Sequence, residues 1–177
     1  MRRYEHGGDI YANDGISPDF PVNLDFSVNT NPLGMPPSVK SAIISHIPEC
    51  ARYPDPYCRS LRSALAARHG LEDSMVLCGN GAAELIFAVS AGLRPRRIVT
   101  LAPTFSEYER SAALFGAEVC EHRLSEADGF ALTESILGKL TPEVDIFFLC
   151  NPNNPTGRLA DPDLLCKIAG ICRNNET

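Results

Sequence analysis

Apolar residues recur at helical spacing twice in the first part of the chain. Residues 1–36 are rich in Gly, Pro, Asn and Asp, which predicts an extended arm with turns. A helix is predicted after Pro37, and a second one from Leu61 to Gly70, a glycine suited to the helix end. Between them the segment RYPDPYC has two prolines within three residues and excludes a helix. The apolar positions of the first helix are Val39, Ala42, Ile43 and Ile47.

Further along the chain, short apolar runs alternate with amphipathic stretches. The runs predict strands and the stretches predict helices. This alternation implies an α/β fold with a mainly parallel sheet covered on both faces, and ligands bind such sheets beyond the carboxyl ends of the strands. The predicted strands are Met75–Cys78, Arg97–Leu101, Ala117–Leu124 and Asp145–Cys150. The predicted helices are Ala82–Leu93, Thr104–Phe115, Thr133–Leu140 and Asp161–Cys172.

Composition narrows the classes of protein that fit. The chain has 177 residues, of which 44% are hydrophobic and 21% charged, which is ordinary for one globular domain. The net charge of −6 and the absence of a stripe of Lys and Arg argue against a nucleic-acid binder. We divide the chain into an arm (1–36), a helical segment (37–70) and an α/β segment (71–177).

Cysteine usage and the N-terminus predict a reduced, cytoplasmic protein. Seven cysteines without CxxC spacing, and without histidines at metal-ligand spacing, predict no metal site. Cys78 and Cys150 end apolar runs and are interpreted as small buried hydrophobes. The N-terminus lacks the apolar stretch of a signal peptide, and no apolar run approaches a membrane-crossing length. We therefore expect a soluble protein that binds neither membrane nor nucleic acid.

The first of three motifs, GNGAAE at Gly79–Glu84, joins a predicted strand to a helix. The amides of Gly81, Ala82 and Ala83 open that helix. Free amides together with the helix dipole form an anion site, most simply for a phosphate. By itself such a segment can be only a turn, and the motif is neither a P-loop nor the full dinucleotide fingerprint.

The second and third motifs also follow predicted strands. In PTFSEY, which starts at Pro103, an aromatic ring at a strand end can stack on a flat ligand, or Phe105 and Tyr108 can simply pack into the core. In NPNNPTG, which starts at Asn151, two Asn-Pro junctions and a glycine predict a rigid loop. Its asparagine side chains offer neutral hydrogen bonds to a planar polar ligand. This heptapeptide is too particular for a generic turn and indicates a functional site.

With these motifs in this order, the chain resembles the fold-type I pyridoxal-phosphate enzymes, among the aminotransferases related to histidinol-phosphate aminotransferase. The resemblance runs over essentially the whole chain. It implies pyridoxal 5'-phosphate as cofactor and the large-domain α/β fold of that class. It also assigns 37–70 to the small domain or linker, and 71–177 to the first part of a truncated large domain.

The resemblance implies roles for individual residues. It implies that the cofactor is contacted by the amides of Gly81, Ala82 and Ala83 at its phosphate, by Phe105 on its ring, and by Asn154 at its phenolic oxygen. Tyr53 matches a tyrosine that reaches the cofactor phosphate of the neighbouring subunit, which implies a homodimer. Without the resemblance, Tyr53 would be interpreted as a half-buried surface aromatic.

Features of the arm are similar to the threonine-phosphate decarboxylases of cobalamin biosynthesis. They include HGG at His6 and NTNPLG at Asn29. The similarity continues beyond the arm through RYPD, LRPRR, EADG and LTPEVD. The implied reaction is loss of CO₂ from L-threonine O-3-phosphate, which gives (R)-1-amino-2-propanol phosphate. The implied substrate contacts are His6, Gly7, Asn29 and Asn154. Without the resemblance, His6 would be interpreted as an exposed terminal residue.

The chain departs from the family pattern in its lysines. It has three, Lys40, Lys139 and Lys167, none in a Ser-x-Ser/Thr-Lys context, and all three are interpreted as solvated. No catalytic residue is assigned, because the Schiff-base lysine has no match. We interpret the chain as an N-terminal fragment that is inactive alone. In the family's sheet order Met75–Cys78 then lacks neighbours, the other three strands pair with one another, and an edge of Asp145–Cys150 lies open.

Two other functions stay open at this point. One is an aminotransferase acting on histidinol phosphate or another amino acid. The other is a non-catalytic truncated remnant, which includes an interaction module that pairs with an intact partner.

Overall fold

The computed structural model describes residues 27–177. The chain divides into two compact units, Met1–Cys78 and Gly79–Thr177, and each is described here by itself. The finer division of the chain at residues 36 and 70 stays a prediction.

The described part of the first unit is helical. Helix α1 spans Pro37–His46, a 3-10 helix spans Ile47–Ala51, and helix α2 spans Arg59–His69. α2 ends at Gly70, whose φ of +66° is left-handed, a conformation that glycine adopts without steric cost. Both predicted helices are confirmed.

The apolar face predicted for α1 is exposed. No residue of α1 is buried, and the exposed fractions of Val39, Ile43 and Ile47 are 45%, 52% and 56%. The helical spacing is therefore present, but this face is not buried within the described part of its unit.

The strand predicted at Met75–Cys78 is wrong. Asp73–Met75 forms a 3-10 helix, and Val76 is extended (φ −113°, ψ 123°). A segment in strand conformation becomes a strand only by pairing, and this segment has no such pairing within the described part of the chain. Cys78 is half-buried, not buried as predicted.

The described part of the second unit is built on a three-stranded parallel sheet in the order β2-β1-β3. Strand β1 spans Arg97–Ala102, β2 spans Glu118–Arg123 and β3 spans Ile146–Phe148. β1 pairs with β2 along its whole length and with β3 through Ile98–Thr100. Within the described residues these strands pair with one another and the outer edge of β3 is unpaired, as expected.

Helices precede and follow each strand. α3 packs on α4, where the buried hydroxyls of Ser90 and Ser111 lie 3.0 Å apart. The helices of this unit are α3 (Gly81–Leu93), α4 (Glu107–Leu114), a 3-10 helix (Glu134–Lys139) and α5 (Pro162–Asn175).

Some element boundaries differ from the prediction. α4 begins at Glu107, later than the predicted Thr104, because the residues before it form a hydrogen-bonded loop. β3 ends at Phe148 and not at Cys150, since its pairing with β1 stops there. The predicted helix Thr133–Leu140 is a 3-10 helix.

The main hydrophobic cluster of this unit lies on one face of the sheet, while Ile98 and Ala112 are buried outside it. Alternate residues of a strand point to the same side, so Val99 and Leu101 of β1 share this face. The 3-10 helix and α5 cover it with apolar side chains. The buried cluster consists of Val99, Leu101, Ile136, Leu140, Val144, Leu164 and Ile168.

Asp145 joins the start of β3 to the start of β1. Its Oδ2 accepts the backbone N–H of Arg97 at 3.0 Å and that of Arg96 at 2.7 Å, and the Arg96 guanidinium lies 3.6 Å from Oδ1. These backbone hydrogen bonds, that of Arg97 first, lower the pKa of Asp145, because they stabilise its charged form.

Replacing Asp145 with alanine is expected to lower the free energy of unfolding by about 1–2 kcal/mol, because two backbone N–H groups lose their acceptor. The pKa is lower in the folded state, so this contribution is present above the unfolded-state pKa and is lost as pH falls through the folded-state pKa. Urea unfolding at neutral pH and in an acid series measures both effects. Asp128→Ala is the control, since the Asp128 side chain makes no hydrogen bond within residues 27–177; equal losses in both variants would contradict the prediction.

Candidate functional site

Two loops lie side by side beyond the sheet. β1 and β3 are neighbouring parallel strands, so their carboxyl ends share one edge. The β1 loop (residues 103–106) carries Phe105, and the β3 loop (residues 149–157) carries Asn154. Two of the three sequence motifs therefore meet at one edge of the sheet.

Hydrogen bonds of Asn153 join the two loops. Its side chain is buried, with 5% exposed. Its Oδ1 accepts the Thr104 hydroxyl at 2.6 Å, and its Nδ2 donates to the Pro103 carbonyl at 3.0 Å and to the Thr156 hydroxyl at 2.9 Å. The sequence predicted a role for Asn154 but not for Asn153, because two adjacent asparagines carry no signal of which one is buried.

Asn154 is held by its backbone while its side chain stays unbonded. Its N–H donates to the Cys150 Sγ at 3.4 Å, and Cys150 is half-buried, not buried as predicted. The half-buried Asn154 side chain makes no hydrogen bond to any residue in 27–177. Its amide therefore remains able to donate to a ligand.

The aromatic residues after β1 form a small stack. The Tyr108 ring lies parallel to Phe148, with centroids 5.0 Å apart at 11°. Phe105 is half-buried and meets the edge of Tyr108 at 5.7 Å and 86°. Core packing, the alternative raised for both rings, describes Tyr108 better than Phe105.

Burial raises the pKa of Tyr108 to about 12, and a hydrogen bond with the Cys150 side chain adds to the shift. The half-buried phenol therefore keeps its proton well above the pH at which an ordinary tyrosine ionises.

Ultraviolet titration of the five tyrosines is expected to show one late component near pH 12, which disappears in Tyr108→Phe. The folded-state pKa is raised, so the protonated phenol stabilises the fold below the unfolded-state pKa, and this contribution is lost as pH rises toward 12. Tyr53→Phe, at a fully exposed ring, is the control and should keep the late component. A late component that survives Tyr108→Phe would contradict the assignment.

The N-terminus of α3 presents backbone amides. The Gly81 N–H donates to the Gly79 carbonyl at 2.9 Å, and the φ of Gly81 is +82°, so a left-handed turn opens the helix. The amides of Ala82 and Ala83 make no hydrogen bond within the described part of the chain. The Glu84 carboxylate accepts the Asn80 N–H at the same end. Two of the three predicted amides are therefore free to meet an anion.

The structure joins only some of the predicted site residues. Phe105 and Asn154 lie on hydrogen-bonded loops, whereas in residues 27–177 no hydrogen bond links the α3 N-terminus to either loop. Asn29 is exposed, and Tyr53 is fully exposed rather than half-buried, in the other unit. His6 and Gly7 lie outside the described residues.

The three lysines are exposed, as expected, and Lys167 pairs with Glu134. The described residues contain no group of His, Cys, Asp and Glu that could hold a metal ion. From residue 27 onward, no helix combines the length and the apolar character that a membrane crossing needs.

The chain is similar in sequence to decarboxylases and to aminotransferases. Threonine-phosphate decarboxylase of Salmonella typhimurium is 49% identical over 172 residues, which are 96% of this chain and 47% of that protein. Histidinol-phosphate aminotransferase of Geobacillus sp. is 37% identical over 136 residues, which are 76% of this chain and 37% of that protein. The chain thus spans less than half the length of these relatives.

Solved structures share the fold. Histidinol-phosphate aminotransferase from Clostridium acetobutylicum matches with a TM-score of 0.74 at 30% identity, over 85% of this chain and 44% of that one. L-threonine-O-3-phosphate decarboxylase from Porphyromonas gingivalis matches with a TM-score of 0.64 at 26% identity, over 76% and 39%. The predicted fold-type I architecture is confirmed. The family model "Aminotransferase class I and II" matches residues 21–177, and the chain therefore belongs to that family.

Proposed function

We propose that this chain carries cofactor-contacting loops of a pyridoxal-phosphate-dependent decarboxylase that converts L-threonine O-3-phosphate to (R)-1-amino-2-propanol phosphate and CO₂. The observation that carries the proposal is the 49% identity to the Salmonella decarboxylase over 96% of the chain. The family is pyridoxal-phosphate-dependent.

The described residues fit a phosphorylated pyridine ring. The free amides of Ala82 and Ala83 begin a helix, where the dipole favours a phosphate. Phe105 offers a half-buried ring, and Asn154 offers an amide donor that bonds to no residue in 27–177. Together they supply an anion site, a stacking surface and a donor, which are the contacts that such a cofactor needs.

Each of these residues has a role in the proposed chemistry. When bound, the cofactor supplies a ring that withdraws electrons from the substrate's reacting carbon. Phe105 restricts the plane of that ring by stacking. Asn154 donates an N–H to the phenolic oxygen and thereby favours its unprotonated form. The amides of Ala82 and Ala83 at the α3 N-terminus would hold the phosphate.

The contacts with the substrate and the partner subunit are further proposals. His6, Gly7 and Asn29 are proposed to contact the substrate, as is Asn154, and Tyr53 is proposed to reach the cofactor of a second copy in a homodimer. Motif matches support these roles, and the full exposure of Tyr53 leaves its ring accessible. We also propose a cytoplasmic setting, supported by seven unpaired cysteines.

The assay that tests the proposal measures CO₂ release from L-threonine O-3-phosphate by the protein that carries this chain, with pyridoxal phosphate present. The expected result is stoichiometric formation of 1-amino-2-propanol phosphate. Amino transfer to 2-oxoglutarate without CO₂ release would contradict it.

An aminotransferase is the second candidate. The observation in its favour is the higher TM-score to the Clostridium aminotransferase, 0.74 against 0.64 for the Porphyromonas decarboxylase. Sequence favours the decarboxylase, at 49% against 37% identity and over more of the chain. Amino transfer from histidinol phosphate to 2-oxoglutarate separates the two activities, because only an aminotransferase would carry it out.

The 177-residue chain by itself is expected to be inactive. Its three lysines are exposed, so none has the buried setting that would hold a covalent cofactor. We expect no stable absorption band of lysine-bound cofactor after mixing with pyridoxal phosphate and gel filtration; such a band would contradict this expectation. The DNA after codon 177 tests the hypothesis of a non-catalytic remnant. A downstream Asp-Glu-Ala strand and Ser-x-Ser/Thr-Lys motif in the same reading frame would contradict that hypothesis.

A further inference from the structure

The Asn153 side chain uses all of its hydrogen-bonding groups inside the protein. An asparagine amide has two N–H donors and one carbonyl acceptor. Here the donors bond to Pro103 and Thr156, and the acceptor receives the Thr104 hydroxyl. With 5% of the residue exposed, this amide is a structural connection and not a ligand contact.

The residues joined by this connection lie next to the two proposed cofactor contacts. Thr104 immediately precedes Phe105, and Asn153 immediately precedes Asn154. In residues 27–177, the bonds of Asn153 to Thr104 and Pro103 are the only hydrogen bonds between the β1 loop and the β3 loop. A change in these bonds therefore displaces Phe105 and Asn154 relative to each other.

The β3 loop is also closed on itself at this residue. The Asn153 N–H donates to the Arg158 carbonyl at 2.8 Å, and the Asn153 carbonyl accepts the Gly157 N–H at 2.6 Å. The backbone of Asn153 is thus fixed independently of its side chain. Removing the side chain leaves these backbone bonds in place and releases the β1 loop.

We propose that Asn153 is a positioning residue that sets the spacing between Phe105 and Asn154 through its hydrogen bonds to Thr104 and Pro103. This inference rests on the proposed function, in which both residues contact one cofactor. Asn153 acts through its neighbours and touches no ligand itself. A mispositioned contact residue lowers affinity even when its own side chain is intact.

The test is nuclear magnetic resonance of the 177-residue chain during titration with pyridoxal 5'-phosphate. The readouts are the Phe105 ring and Asn154 side-chain signals and the dissociation constant from each. The wild-type chain is compared with Asn153→Ala and with the pair Thr104→Val and Thr104→Ser. Asn174→Ala is the matched control, because Asn174 is exposed in the last turn of α5 and lies in neither loop.

We expect Asn153→Ala and Thr104→Val to weaken binding about tenfold and to give different dissociation constants from the Phe105 and Asn154 signals. Thr104→Ser and Asn174→Ala are expected to bind as the wild type does. Rescue by serine separates positioning from a loss of methyl packing. Unchanged Val99 and Ile136 signals show that a variant is folded; if Asn153→Ala unfolds, the Thr104 pair decides alone.

Two results overturn the inference in different ways. Suppose that the wild type binds, and that Thr104→Val and Asn153→Ala bind equally well and give the same dissociation constant from the Phe105 and Asn154 signals. The positioning role is then wrong, and the proposed function stands. If neither Phe105 nor Asn154 responds in the wild type, the cofactor assignment fails, and the positioning role fails with it.

Discussion

Replacing Ile136 with alanine is expected to lower the free energy of unfolding by about 2–5 kcal/mol, the largest effect on stability that we predict. Ile136 is fully buried, at 0% exposed, in the 3-10 helix that covers Val99 and Leu101 of β1. Alanine there leaves a cavity against the central strand, and the surrounding layer relaxes only partly. Small domains have total stabilities of about 5–15 kcal/mol, so the loss is a large fraction of the whole.

Urea unfolding monitored by circular dichroism measures this loss. Leu159→Ala is the matched control, because that leucine is 71% exposed in the same unit and should cost under about 1 kcal/mol. Similar destabilisation in both variants would show that Ile136 is not at the centre of the core.

Replacing Asn154 with alanine is expected to weaken pyridoxal-phosphate binding about 10- to 100-fold, the range for one hydrogen bond to a charged group. The contact from the Asn154 backbone N–H to the Cys150 Sγ survives this change, since it needs no side chain. The variant therefore removes only the amide that makes no hydrogen bond within the described chain. Isothermal titration calorimetry with pyridoxal phosphate gives the affinity.

Asn174→Ala is the control for this change, at an exposed position in the last turn of α5. It removes the same chemical group far along the chain from both loops. Equal affinity in the wild type and in Asn154→Ala, with Asn174→Ala unchanged, would exclude Asn154 as a cofactor contact.

The sequence predicted most elements of the second unit, because their signals are local. β1 is confirmed at Arg97–Ala102 by its β-branched run, and α5 by Asp161, whose carboxylate accepts the N–H groups of Asp163 and Leu164. In the first unit, Gly70 likewise ends α2 in the left-handed conformation that its residue type predicts. Such features depend on neighbours in sequence and are visible without a structure.

The differences between prediction and structure come from contacts that are distant in sequence. The Met75–Cys78 run is apolar enough for a strand, but strands need a partner that its own residues do not supply. The late start of α4 at Glu107 depends on Thr104 bonding to Asn153, 49 residues away. Asn153 itself was missed for the same reason: two of its three side-chain partners, Pro103 and Thr104, are known only once β1 and β3 are neighbours.

The sequence predicted the motifs of the site but not the hydrogen bonds within it. NPNNPTG and PTFSEY indicate loops that bind something, and the parallel pairing of β1 and β3 places them together. The sequence could not show that the Gly81 amide bonds to Gly79, or that the Glu84 carboxylate lies at the start of α3. A proposed phosphate must therefore share that helix end with a carboxylate.

The proposed function requires that α3, the β1 loop and the β3 loop contact one phosphorylated pyridine ring. Resonance titration of the chain with pyridoxal 5'-phosphate tests it most directly, through the Ala82 and Ala83 amides, the Phe105 ring and the Asn154 side-chain amide. We expect all of these signals to follow a single saturation curve. Separate curves for the helix amides and for the two loops would contradict it.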